Sequence, residues 1–275
     1  MYIKPKKSLG QNFLIDKNIQ RKIINACRLS KEDIILEIGS GRGELTSGIA
    51  ALVNKVYALE IDSRIYPELE EKLSATDNCQ VIKSDILKFD IRKFLQENII
   101  KQKVKIIGNI PYYISSPIIE HLIGYRSNIS EVFLTVQKEF GRRVAASSGS
   151  KEYGSFSCFV QYYAQTKILF EIKRTCFRPL PKVDSCFLSL KFTDKPLLED
   201  EEEAGLFKLI RAAFNQRRKT LRNSLSAFIS EGELEDFLNS SGIDKNVRPE
   251  DLSLLQFIEL LKKVKKNLDK SIDLV

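Results

Sequence analysis

The run ILEIGSGRGELT, residues 35–46, ends an apolar, β-rich stretch on Gly39, Gly41 and Gly43 and continues at once into a helical one. Glycines let a backbone turn sharply and approach a ligand where any side chain would clash. The strand that stops at this turn is the first of seven candidates: IILEIG (34–39), KVYALEI (55–61), CQVIKSD (79–85), VKIIGN (104–109), EVFLTVQ (131–137), KILFEIK (167–173) and DSCFLSLKF (184–192). Helical stretches such as ELTSGIAALV and YPELEEKLSA separate the early ones, which is the alternation of an open, mostly parallel α/β sheet. The last two are separated by TCFRPLPKV instead of a helix, so an antiparallel pair is expected at one edge of the sheet.

After DKPLLEDEEE the pattern changes. EAGLFKLIRAAFNQ, KTLRNSLSAFI, ELEDFLNSSG and PEDLSLLQFIELLKKV carry apolar residues three and four apart, with no further strand run. The boundaries expected are an N-terminal extension over 1–30, with DKNIQRKIINAC as a helix, an α/β domain over 31–195 and a small all-α domain over 196–275.

The inventory of side chains removes several classes of chemistry. Five scattered cysteines without a CxxC pair argue against a disulfide framework and a zinc site, and His121, in the apolar stretch PIIEHLIG, is the only histidine, which nearly excludes a His-based metal cluster or a Ser-His-Asp triad. No metal is expected. No apolar run approaches the roughly 20 residues a membrane helix needs, and MYIKPKKSLGQNF has lysines without a following apolar core, so no membrane association and a cytoplasmic location are expected. Lys and Arg exceed Asp and Glu by 8, which favours a polyanionic partner. The excess gathers in KPKK (4–7), at Arg142 and Arg143, and in NQRRKTLR (215–222).

The glycines are spaced GxGxG, unlike the GxGxxG of dinucleotide dehydrogenases, and no GxxxxGK[ST] loop is present. About twenty residues after such a glycine turn, Glu60 ends the next strand, where a carboxylate can accept both ribose hydroxyls of a nucleoside. Asp85 ends the third, suited to the exocyclic amine of an adenine. A nucleoside cofactor without a polyphosphate is expected in the crevice at the carboxyl ends of these strands. At the end of the fourth strand stands GNIPYY, residues 108–113. Gly, Asn and Pro are ordinary turn residues, but two aromatics at a turn are exposed unless they cover something.

Glycine turn, Glu60 and Asp85 together resemble the class I S-adenosylmethionine-dependent methyltransferases, and Asn-x-Pro-Tyr resembles the motif of those that methylate amino nitrogens. An adenine N6 amine is a poor nucleophile because its lone pair is delocalised into the ring. Asn109 and the carbonyl of Ile110 or Pro111 are expected to hold its hydrogens, and Tyr112 to stack on the flipped base. More closely, the chain resembles the rRNA adenine dimethylase family over nearly its whole length, through KKSLGQNFLID, EIGSGRGELT, ALEID, SDIL, GNIPYYISSPI, FRPLPKVDS, FNQRRKTLRNSL and RPEDLS. Ile110 stands where that family usually has Leu.

The resemblance implies a Rossmann-like seven-stranded sheet with a helical C-terminal domain. It implies dimethylation of two adjacent adenosines in the 3′-terminal hairpin loop of small-subunit rRNA, with an assembling 30S particle as partner and the protein acting as a monomer. It places S-adenosylmethionine against Gln11, Asn12, Leu14, Gly39, Gly41, Glu60, Asp85 and Asn109, and the target base against Asn109, Pro111, Tyr112 and Phe177. RNA contacts are expected from the N-terminal extension and from Arg142, Arg143, Arg217, Arg218, Lys219 and Arg222. Tyr113 is left outside the catalytic set, as a residue that packs by the loop. Two alternatives remain: an Erm-type enzyme acting on large-subunit rRNA, against which FNQRRKTLRNSL and RPEDLS speak, and a non-catalytic assembly factor on the same fold.

Overall fold

The structure, a computed structural model, describes residues 5–6, 9–193, 197–216 and 219–272. Along the chain run β1 (Phe13–Leu14), α1 (Lys17–Ala26), β2 (Ile34–Ile38), α2 (Thr46–Ala50), β3 (Lys55–Glu60), α3 (Tyr66–Leu73), β4 (Cys79–Lys83), α4 (Ile91–Glu97) and β5 (Val104–Asn109). There follow α5 (Ser115–Gly124), β6 (Ile129–Gln137), α6 (Lys138–Val144), α7 (Ser155–Tyr163), β7 (Ala164–Ile172), β8 (Phe177–Arg178) and β9 (Ser185–Phe192). Four helices end the chain: α8 (Asp200–Phe214), α9 (Leu221–Leu225), α10 (Glu231–Ser240) and α11 (Leu254–Ile272).

Seven strands form one sheet in the order β4, β3, β2, β5, β6, β9, β7. The first five in that order pair in parallel, and β9 runs antiparallel between β6 and β7. All seven are the runs expected from the sequence, including the antiparallel edge. Apolar side chains on both faces explain the runs: β2 has four of five residues buried and β9 seven of eight, as expected for strands covered from both sides. From β2 the chain builds outward through β3 to β4, then returns to place β5 on the other side of β2. The reversal leaves a crevice outside the carboxyl ends of β2 and β5.

A second, two-stranded sheet pairs β1 with β8 antiparallel, Phe13 opposite Arg178 and Leu14 opposite Phe177. Both Leu14 and Phe177 point into a core with Ile23, Cys27, Ile172 and Phe187. The Asp16 side chain then starts α1 by accepting from the backbone N–H groups of Asn18 at 2.8 Å and Ile19 at 3.1 Å. The N-terminal segment is thereby anchored at residue 14, and the residues before it are directed to the mouth of the crevice.

The chain divides into two compact units, Met1–Gly141 with Ala164–Asp194, and Arg142–Tyr163 with Lys195–Val275. The N-terminal thirty residues therefore group with the sheet, and residues 142–163 group with the C-terminal helices, whereas the sequence boundaries keep them in the α/β domain. Within the second unit the reason is visible: Phe159, Tyr162 and Tyr163 of α7 all lie edge-on or tilted to Phe207 of α8, with ring centroids 5.2, 5.3 and 5.9 Å away. Such aromatic clusters bury large apolar area. The unit also carries a capping box at α10, where Ser230 and Glu233 satisfy each other's backbone N–H.

Candidate active site

In the first unit the crevice opens as a cleft at the carboxyl ends of the strands. Its floor is the row of strand ends: Ile38 closing β2 with Gly39 after it, Leu59 and Glu60 on β3, Ser84 and Asp85 after β4, Asn109 closing β5 with Ile110 and Pro111 after it. Residues 9–13 form one wall, and Tyr113, Ile114 and Ile118 another.

The glycine turn is shaped by its backbone. Gly39, Gly41 and Gly43 have φ of +68, +56 and +71°, a region that L side chains rarely adopt. The N–H groups of Gly39 and Ser40 donate to the Leu59 carbonyl at 2.9 and 3.1 Å, so the turn folds back on the end of β3. Gly41 N–H reaches Glu60 Oε2 at 2.8 Å, and Asp62 N–H reaches the other oxygen at 2.8 Å. A Cβ on Gly41 would stand 3.2 Å from the Phe13 ring, whose face also receives the Arg42 guanidinium 5.1 Å from its centroid.

Glu60 is only 4% exposed. Burial pushes its carboxyl up, and the two backbone donors work against that shift. Each carboxylate oxygen keeps a further lone pair for a hydroxyl donor. Asp85 accepts from Leu87 N–H at 3.0 Å through Oδ1, which leaves Oδ2 as a second acceptor. Asn109 donates its amide N–H to the Asn12 carbonyl at 2.9 Å. That bond fixes which end of the amide is which, and the oxygen is left to accept.

The segment over the cleft is pinned elsewhere too. Gln11 donates to Asp62 Oδ2 at 2.9 Å, and Asp62 is gripped by Arg64 at 2.9 and 2.5 Å, which holds its carboxyl down at about 2. Asp62 was not singled out by sequence, although its place two residues after Glu60 in LEID is a usable signal. Glu37 was not either: it sits 2% exposed in β2, and burial pushes its carboxyl up to about 7 against the help of the Thr46 and Ser40 hydroxyls nearby. A lone Glu in an apolar strand is the mark that could have found it.

Of the expected cofactor residues, Gln11, Asn12, Gly39, Gly41, Glu60, Asp85 and Asn109 all border the cleft. Leu14 does not: its side chain is 2% exposed in the core opposite Phe177, and it anchors the segment from below. Phe177 needs a correction. It is fully buried, because pairing with Leu14 turns it into the core, and it offers no stacking face. Pro111 borders the cleft; Tyr112 is not among its lining residues and is half-buried, with its hydroxyl 2.6 Å from Ser185 Oγ. Tyr113 lines it instead. The short 3₁₀ turn Tyr112–Ile114 sends adjacent side chains in different directions, and sequence does not say which way each goes. His121 is a structural residue, its Nε2 3.1 Å from the Phe89 carbonyl.

In the second unit Arg142 and Arg143 are exposed in the last turn of α6, and Lys219 is exposed before α9. Arg222 is paired with Glu231 and lies 3.4 Å from Glu235. Arg217 and Arg218 lie outside the described residues. Among the described residues no group of three or more His, Cys, Asp and Glu side chains could hold a metal ion, and no helix is long and apolar enough to cross a membrane.

The donor set of the cleft, carboxylates and an amide over a glycine turn with no lysine among the described residues of its lining, suits a cationic nucleoside better than a polyphosphate. Known proteins similar to this chain point the same way. The family model described as ribosomal RNA adenine dimethylase matches residues 3–266. The ribosomal RNA small subunit methyltransferase A of Staphylococcus epidermidis is 41% identical over 267 residues, covering 95% of this chain and 90% of its own. The protein of the same name from Moorella thermoacetica is 39% identical over 262 residues, covering 93% and 91%. Among solved structures, a dimethyladenosine transferase from Plasmodium falciparum superposes with a TM-score of 0.76 at 28% identity, covering 92% of this chain and 98% of its own. The 23S rRNA methyltransferase ErmE gives the same TM-score, 0.76, at 24% identity over 92% and 100%, which is a likeness of fold.

Proposed function

The chain belongs to the ribosomal RNA adenine dimethylase family, and from that premise we propose that it dimethylates the N6 amines of two adjacent adenosines in the 3′-terminal hairpin loop of small-subunit rRNA. The cofactor is S-adenosylmethionine and the reaction is dimethylation of rRNA adenine. The observation that carries the reading is the convergence of Glu60, Asp85 and Asn109 on one cleft at the strand ends where the sheet order reverses. When bound, the cofactor supplies a methyl group on a sulfonium, electrophilic enough that the amine need not lose a proton first.

The protein's part is to bind and to aim. Glu60, its plane fixed by Gly41 and Asp62 N–H groups, accepts the ribose hydroxyls. Asp85 accepts the cofactor's exocyclic amine. Asn109 and the Ile110 or Pro111 carbonyl hold the hydrogens of the target amine, which favours a pyramidal nitrogen with its lone pair free. Pro111, with φ −61° and no N–H, keeps that carbonyl turn from offering a competing donor. Tyr112, its phenol tethered to Ser185, provides the stacking face for a base taken out of its helix. The proton leaves to solvent from the charged product, so the scarcity of histidine is no obstacle.

Phosphate contacts fall to Arg142, Arg143 and Lys219, which are exposed. Arg222 contributes only by giving up its Glu231 and Glu235 partners. An assembling 30S particle is the substrate, with the protein acting as a cytoplasmic monomer. The identity of about 40% to proteins named as small subunit methyltransferases supports the small subunit. Asn109→Ala tests the site: methyl transfer is expected to fall at least about a hundredfold, as when a positioned hydrogen-bonding group is lost, with rRNA binding retained. Undiminished turnover contradicts the assigned role.

A further inference from the structure

Tyr113 is 63% exposed, yet its ring lines the cleft. The surface it covers is Gly10: a Cβ built there would stand 3.0 Å from both Cδ1 and Cε1 of Tyr113 and 3.2 Å from Pro111 Cβ. Gly10 has φ +58°, so glycine is required at that point both by conformation and by space. The ring therefore rests directly on the backbone of the segment that crosses the cleft. Other holds on that segment include Gln11 on Asp62, the Asn12 amide on the Gly10 carbonyl, the Asn12 carbonyl on Asn109, Phe13 on the glycine turn and Leu14 in the core. Among the described residues, Tyr113 and Pro111 are the side chains that meet Gly10 at its leading end.

We infer that Tyr113 is a positioning residue, a latch that holds residues 9–13 across the cleft and thereby slows departure of the S-adenosyl ligand. The inference rests on the assignment of the cleft to S-adenosylmethionine. The latch acts through the strap: when the ring is on Gly10, Gln11 and Asn12 are held where they border the ligand and Asn109 keeps its carbonyl partner. When the ring is off, the leading end of the segment has lost its cover and the ligand has a way out. For a family that must exchange spent cofactor between successive transfers to one substrate, that gate sets how long the cofactor stays.

The test uses the full chain and S-adenosylhomocysteine as the probe, with affinity from calorimetry and off-rate from a chase of radiolabelled ligand, since the chain has no tryptophan to report by fluorescence. Tyr113→Ala is expected to raise the off-rate and Kd about tenfold, with the ligand-free melting midpoint unchanged because the ring is mostly exposed. Tyr113→Phe, which keeps the ring carbons that meet Gly10, is expected to stay within threefold of wild type. Gly10→Ala, which drives a Cβ into the ring, is expected to match Tyr113→Ala, and the double variant to be no worse than either. In turnover, KM for S-adenosylmethionine rises while kcat holds or increases. An off-rate for Tyr113→Ala within twofold of wild type overturns the latch, as does a lowered ligand-free midpoint that accounts for the loss. Failure of the wild-type chain to bind S-adenosylhomocysteine overturns the assignment of the cleft, and the latch with it.

Discussion

Tyr112 and Ser185 are 73 residues apart in sequence and 2.6 Å apart at their hydroxyls. If that tether holds the stacking ring in place, then Tyr112→Phe and Ser185→Ala remove the same interaction. Each is expected to lower kcat/KM for RNA, and the double variant to equal the worse single, with a coupling of about 1 kcal/mol, the net worth of a typical hydrogen bond. Additive losses in the cycle would show that Ser185 serves something else. Glu37 gives a prediction in pH. Its folded carboxyl titrates at about 7 against an ordinary 4.5, so its contribution to stability is full below the ordinary value and is lost as pH rises through about 7. Glu37→Gln has no proton to lose, and wild type should fall relative to it by about 3 kcal/mol between pH 4.5 and 8. Urea denaturation at the two ends of that range measures it; an equal gap at both ends would contradict it.

The elements that build the site differ in how plainly sequence announces them. Strands β2 to β7 and β9 were legible because each is a β-branched or aromatic run bounded by turn residues, and strand ends then locate Glu60, Asp85 and Asn109 without further information. The pairing of β1 with β8 was not legible. Two residues carry no periodicity, and the partner of Leu14 is set by the tertiary fold, 163 positions along; that pairing is what buries Phe177 and removes it from the site. The grouping of residues 142–163 with the C-terminal helices was hidden for a related reason, since α7 finds its aromatic partners on α8 beyond three intervening strands. The glycine turn is the element most exposed to a single change. Gly41→Ala puts a side chain at φ +56° and 3.2 Å from Phe13, and it disturbs the N–H that holds Glu60. We expect it to weaken S-adenosylhomocysteine binding at least tenfold while leaving rRNA affinity unchanged; calorimetry and filter binding separate the two.

At the scale of the molecule, the cleft lies in the first unit and the exposed cations Arg142, Arg143 and Lys219 in the second. Changes there should act on RNA affinity alone. Lys219→Ala is expected to reduce the slope of log affinity against log salt by about 1, as the loss of one phosphate contact does, with cofactor binding intact; an unchanged slope removes Lys219 from the interface. The net charge of +8 made an anionic partner legible from composition, but not which rRNA. The most direct test of that choice gives purified, unmethylated small and large ribosomal subunits to the protein in parallel, with S-adenosylmethionine labelled in its methyl group, and locates the label by mass spectrometry of nuclease fragments. The result expected is N6,N6-dimethyladenosine at two adjacent positions in the 3′ hairpin of small-subunit rRNA and none in the large subunit. Label confined to the large subunit, or absent from both while the cofactor binds, would contradict it.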